Sequence, residues 1–157
     1  MSQETNIATT KKMGEAINKG NLDVLNEVFA PGVVDHDPAP DQGKGPEGFI
    51  QFFTQLRTAF PDLKIAVEEM VAADDKVAFA YTMTGTQEGP FEGIPATGKK
   101  VKARGLQLAK YNSEGRITER WGSSDQAGIL QQIGATKPTS TMNEPPVITA
   151  PASSNKI

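Results

Sequence analysis

"ERWGSSDQAGILQQIG", residues 119–134, joins a charged strand end, the sole tryptophan, a small polar turn and a helix in sixteen positions. A strand that passes into a closing helix makes the preceding segments a sheet with helices on it. The question for chemistry is what Asp125 does where strand becomes helix. With Ser123 as the helix cap, Gln126 falls at the third helical position and the two form an S-x-x-Q capping box. Asp125 is itself a good helix cap; with Ser123 capping instead, it lies inside the first turn with its carboxylate free to face elsewhere. Alternation along the strand places Ile117, Glu119 and Trp121 on one face, read as inward, and Arg116, Thr118 and Arg120 on the other.

Upstream lie "NSEG", a turn, and "VKARGLQLAKY", a strand. In that strand Gln107 shares a face with Val101, Ala103, Gly105, Ala109 and Tyr111, while Leu106 and Leu108 point away. Small residues beside a polar one suit a cavity wall, and the leucines suit a contact between subunits. Arg104, opposite Gln107, is read as exposed. Further upstream, "EGPFEGIPATGKK" is a loop, and "LKIAVEEMVAA" with "KVAFAYTMTGT" forms a hairpin turning at Asp74 and Asp75. Neither face of the second strand reads as fully solvated, because Val77, Phe79, Tyr81 and Met83 oppose Ala78, Ala80, Thr82 and Thr84.

The N-terminal third is helical in pattern. Ile7, Met13, Ala16 and Ile17 fall on one side of a helix that Gly20 ends. Asn21 is placed to cap a second helix carrying Leu22, Leu25, Val28 and Phe29, stopped by Pro31 and Gly32. "GPEGFIQFFTQLRTAF" has Pro46 at its start and one apolar stripe, Phe49, Phe52, Phe53, Leu56 and Phe60, that is core in the first instance and in part a ligand wall. The expected fold is therefore α+β, with helices packed on one face of a curved, mainly antiparallel sheet. Residues 1–134 form the domain, and residues 135–157, with four prolines among 23 positions and few apolar side chains, read as a mobile tail.

Composition removes several functions. A formal net charge of −3 leaves no basic footprint for nucleic acid. The absence of cysteine excludes a thiolate nucleophile and zinc-thiolate sites, and the single histidine excludes sites needing two imidazoles. No metal and no cofactor is expected. No Walker, dinucleotide-binding or G-x-S-x-G pattern occurs. With no apolar run long enough to cross a bilayer and no leader-like N-terminus, a cytoplasmic protein that does not engage membranes is expected. His36, in "VVDHDPAPDQGKG", is read either as an exposed histidine or as a donor that holds a substrate carbonyl.

Four stretches together, "HDPAPDQGKGPEGFIQFF" with "LRTAFPDLKIAVEE", "GPFEGIPATGKKV" and "GRITERWGSSDQAGILQQIG", resemble the SnoaL-like polyketide cyclases, or ester cyclases, of the nuclear transport factor 2-like superfamily. The resemblance implies a cone-shaped barrel with a pocket between sheet and helices, and a homodimer through the sheet. It implies cofactor-independent, intramolecular aldol-type chemistry on an enolisable apolar small molecule. Asp125 matches the family's acid/base residue by motif. Many relatives have a histidine where this chain has Arg120, so help for Asp125 falls to His36, Gln107, Tyr81 or Tyr111. Trp121 and Phe53 are expected beside the substrate. The alternatives are a non-catalytic binding or dimerisation module, or an isomerase pairing an Asp base with a Tyr donor, or a hydrolase, of the same fold.

Overall fold

The structure is a computed structural model and describes residues 2–134. The expected tail, 135–157, lies outside the described residues. Helix α1 (Gln3–Lys19) starts at Ser2, whose hydroxyl accepts the Thr5 amide, and stops at Gly20 in the left-handed region, as its sequence predicts. It buries Met13, Ala16 and Ile17. The second helix is shorter than expected. After a 3-10 turn at Leu22–Val24, helix α2 spans only Leu25–Val28, and Asn21 provides no side-chain cap.

Strand β1 (Phe29–Asp35) begins immediately, so Pro31 and Gly32, read as helix stops, lie inside a strand. Proline is tolerated there because β1 is the edge of the sheet. Helix α3 (Gly45–Ala59) opens with Pro46 and buries Phe49 and Leu56. The Phe49 ring stacks on Phe29 with centroids 4.0 Å apart, which fastens α3 to the start of β1.

Strands β2 (Lys64–Ala73), β3 (Lys76–Thr86), β4 (Lys100–Tyr111) and β5 (Ile117–Ser124) follow, and helix α4 (Gln126–Gln132) closes the fold. The sheet order is β1-β5-β4-β3-β2. Every pairing is antiparallel except β1 with β5, which is parallel and makes the sheet mixed. The helices cover one face. On the other, Val71, Leu106 and Leu108 are exposed at 66%, 62% and 36%, an apolar strip left without cover.

One irregularity decides which side chains face inward. Ile117 pairs with Tyr111 but Glu119 pairs with Lys110, so Thr118 is an extra residue in β5. The bulge inverts the alternation beyond it. Ile117 is buried, as expected, but Glu119 and Trp121 turn to the outer face and Arg120 turns inward, the reverse of the simple period-2 reading.

Candidate functional site

Between the helices and the concave face of the sheet lies a cavity of about 400 Å³. Phe49, Phe52, Phe53, Phe79, Phe91 and Ile129 form part of its apolar wall, Phe53 among them as expected. Two close approaches shape it. Tyr81 lies across Gly105, where a Cβ would collide with the phenol oxygen, and the Arg120 guanidinium folds over Gly122, where a Cβ would collide with Nη2. Neither position tolerates a side chain without displacing a polar group of the cavity.

Four polar side chains of the lining form one network. Arg120 Nη1 donates to Asp35 Oδ1 at 2.9 Å, and Arg120 Nε donates to Gln107 Oε1 at 3.0 Å. Gln42 Nε2 donates to the other Asp35 oxygen at 3.0 Å, and the Asp37 amide donates to Oδ1. With the Asp35 side chain only 7% exposed, this is a largely buried ion pair whose carboxylate is held by three donors. Asp37, an exposed residue of the lining, accepts the Gly122 amide on Oδ2 at 2.9 Å and makes no hydrogen bond through Oδ1 among the described residues. Burial raises the Tyr81 phenol above its ordinary range, and the Arg120 charge and the Ser124 side chain pull it back less strongly, so Tyr81 is a neutral donor at neutral pH.

Three expected site residues therefore line the cavity together: Gln107, Tyr81 and Phe53. Four do not. Asp125, not Ser123, caps α4: Ser123 and Ser124 still pair with Leu106 and Gly105 in the sheet, so the helix begins two residues later than the capping box required. Asp125 is exposed, its Oδ1 accepts the Gly128 amide at 2.9 Å, and it forms no part of the cavity wall. The free carboxylate expected there is engaged by its own first turn. His36 and Trp121 lie on the outer face, stacked with centroids 4.5 Å apart, and His36 Nε2 meets Glu119 Oε1 at 3.0 Å. Glu119, read as inward, is outward and also approaches Lys110.

Tyr111 is buried against Thr10, outside the cavity lining. Burial pushes its phenol up to about 12, and the bond to Thr10 opposes this more weakly. A raised folded pKa means that the stabilisation is complete below the unfolded phenol's value and is lost as pH rises toward the folded one. Wild-type stability should fall by roughly 2 to 3 kcal/mol across that alkaline window. Urea titrations across the window check this, and Tyr111→Phe should flatten the decline.

The residues that sequence reasoning missed are Arg120, Asp35, Asp37 and Gln42. A signal existed for two of them: Asp35 and Asp37, two apart in an extended segment, share a face. Among the described residues no group of three His, Asp or Glu side chains converges as metal ligands would, and no helix is long and apolar enough to cross a membrane.

The class that this architecture defines is an α+β domain in which helices cover one face of a mixed five-stranded sheet and enclose an apolar cavity against it. Residues 8–133 match the family model of the SnoaL-like polyketide cyclases, and the chain belongs to that family. Its fold is similar to TsrD from Streptomyces laurentii, at 24% identity and a TM-score of 0.79 over 87% of this chain and 99% of that one. IdmH from Streptomyces antibioticus is 31% identical with a TM-score of 0.71, covering 82% of this chain and 98% of its own. A SnoaL-like protein from Jannaschia sp. CCS1 is 26% identical with a TM-score of 0.76, covering 85% and 94%. No curated protein matches this chain significantly.

Proposed function

We propose that this chain performs cofactor-independent acid/base chemistry on an enolisable, largely apolar small molecule held in the cavity. The observation that carries the reading is an aromatic cavity with a linked polar network in its wall and, on the exposed lining residue Asp37, a carboxylate oxygen uncommitted among the described residues. Asp35 is unsuited to the task because three donors hold its oxygens. Asp37 removes a proton from a carbon next to a carbonyl, and the enolate forms with Tyr81 donating near its oxygen. In the aldol-type reaction that carbon attacks a second carbonyl of the same molecule, and the protonated Asp37 returns its proton to the new alkoxide. Atoms are conserved and no redox partner is needed.

The test is deuterium exchange at the carbon beside the carbonyl of α-tetralone, followed by NMR in D₂O. Wild-type protein should accelerate exchange well above buffer, whereas exchange at the buffer rate with demonstrable binding would replace catalysis by binding alone. That second reading has its own support: the carboxylate matched by motif caps a helix, and Gly122, the inward position after Arg120, has no side chain.

We also propose that two copies pair through the uncovered sheet face, where Val71, Ala78, Ala80, Leu106, Leu108 and Trp121 form a continuous apolar strip. Light scattering should give a dimer for the wild type and a monomer for Leu106→Lys. A wild-type monomer at micromolar concentration would exclude the pairing.

A further inference from the structure

Helix α1 and strand β2 are joined at one end by two hydrogen bonds. Asn18 Nδ2 donates to the Ile65 carbonyl at 3.0 Å, and the Ile65 amide donates to Asn18 Oδ1 at 2.7 Å. From there the two elements run in opposite directions. The N-terminal half of α1 reaches the far end of the sheet, where Thr9 donates to the Gly115 carbonyl and Thr10 bonds Tyr111. The Tyr111 amide in turn donates to Asp75, at the β2–β3 turn. One turn back from Asn18, about 6 Å along the helix, comes Gly14, and two residues on from Ile65, about 7 Å along the strand, comes Val67. Residues four apart share a helix face, so position 14 is directed toward β2 as Asn18 is.

Nothing local requires glycine at position 14. Its φ lies outside the left-handed region, and glycine is the poorest residue for a helix interior after proline. The glycines inside the other helices have a steric reason: a Cβ would collide with the Gly43 carbonyl at Gly48 and with the Asp125 carboxylate at Gly128. At Gly14 a Cβ would meet no atom within 4 Å. Open space is what distinguishes this position, and it lies in the cavity lining.

The β2 side of the gap is open as well. Val67 pairs with Tyr81 and so shares its inward face, and both line the cavity, yet Val67 is 45% exposed. Strand β2 is an edge of the sheet, and the register shift between Val67 and Glu69 makes Glu68 an extra residue that bends it here. An inward valine reached by solvent, facing a helix position without a side chain, marks where the cavity meets the surface. The walls of the gap are hydrocarbon: Ile65 and Val67 on β2, Met13 and Ile17 beside Gly14 on α1.

We infer that this gap is a side opening through which an unbranched alkyl chain of the ligand leaves the cavity, with Gly14 determining whether a chain fits. This rests on the cavity being the ligand site and narrows its substrate class to an enolisable ketone that carries a linear hydrocarbon chain. The chain covers Val67, and each methylene taken out of water strengthens binding by about fourfold.

Fluorescence titration of the full chain with 2-acetonaphthone and with 1-(2-naphthyl)hexan-1-one, which adds four methylenes, tests the inference. The hexanone should bind wild-type protein at least about tenfold tighter than the methyl ketone. Gly14→Leu, which fills the gap, should erase that gain and keep the methyl ketone's affinity, and the retained binding shows that the variant is folded. Gly14→Ala should raise the Tm, because a better helix former enters open space. A lowered Tm in Gly14→Ala, equal binding of the two ketones by wild type, an undiminished gain in Gly14→Leu, or loss of both ketones alike in that variant overturns the opening and leaves the cavity reading standing. No binding of either ketone by wild type overturns both.

Discussion

Asp37→Asn should slow α-tetralone exchange by about 10² to 10⁴-fold, the range over which a positioned general base contributes. Asp125→Asn should leave it within a few-fold of wild type. The contrast follows from what each carboxylate touches. Asp37 has one oxygen on the Gly122 amide and the other uncommitted among the described residues. Asparagine retains an oxygen for that amide, so the fold should persist while the base disappears. Asp125 has its Oδ1 on the Gly128 amide and no share in the cavity wall, and asparagine caps a helix about as well as aspartate. The reverse outcome, with exchange lost in Asp125→Asn and kept in Asp37→Asn, would return the role to the residue that the family motif singles out. It would also require α4 to release its cap during turnover.

Asp35→Ala should cost about 2 to 4 kcal/mol of stability, toward the low side of a fully buried pair, because it leaves a partly buried guanidinium without its counter-charge and Gln42 without an acceptor. Urea denaturation measures this directly. Asp35→Ala combined with Arg120→Met should recover much of the loss, since removing both members of a buried pair is close to neutral where removing one is not. A loss below about 1 kcal/mol in the single variant would mean that water reaches Arg120 and replaces the carboxylate. The same substitution loosens the group that fixes Gln107, so ligand affinity should fall with stability. The two effects share one cause: Arg120 lies between Asp35, which holds it, and Gln107, whose amide it orients.

Much of this architecture is written locally. The apolar stripe of α3, the glycine stop after α1, the β2–β3 hairpin and the inward set of β4 each depend on contacts within a few residues or on strict alternation, and each was legible. The cavity wall was legible for the same reason, through Phe53, Tyr81 and Gln107. Phe29 to Asp35 was not, because a proline and a glycine inside a strand look like punctuation until the strand is known to be an edge paired in parallel with β5. Nor was the start of α4: Ser123 and Asp125 are both good caps, and the choice between them was made by how far β4 holds β5 in the ladder.

The sequence by itself determined the family, the order of helices and strands after β1, and a greasy interior with polar residues on the sheet that lines it. Only the tertiary structure decided which of those polar residues meet. A single extra residue opposite the Lys110–Tyr111 step reverses the side chains beyond it, sending Glu119 and Trp121 outward, where Trp121 stacks on His36, and bringing Arg120 onto Asp35 and Gln107. The bulge arises from pairing between strands, and nothing in the local residue pattern of β5 encodes its position.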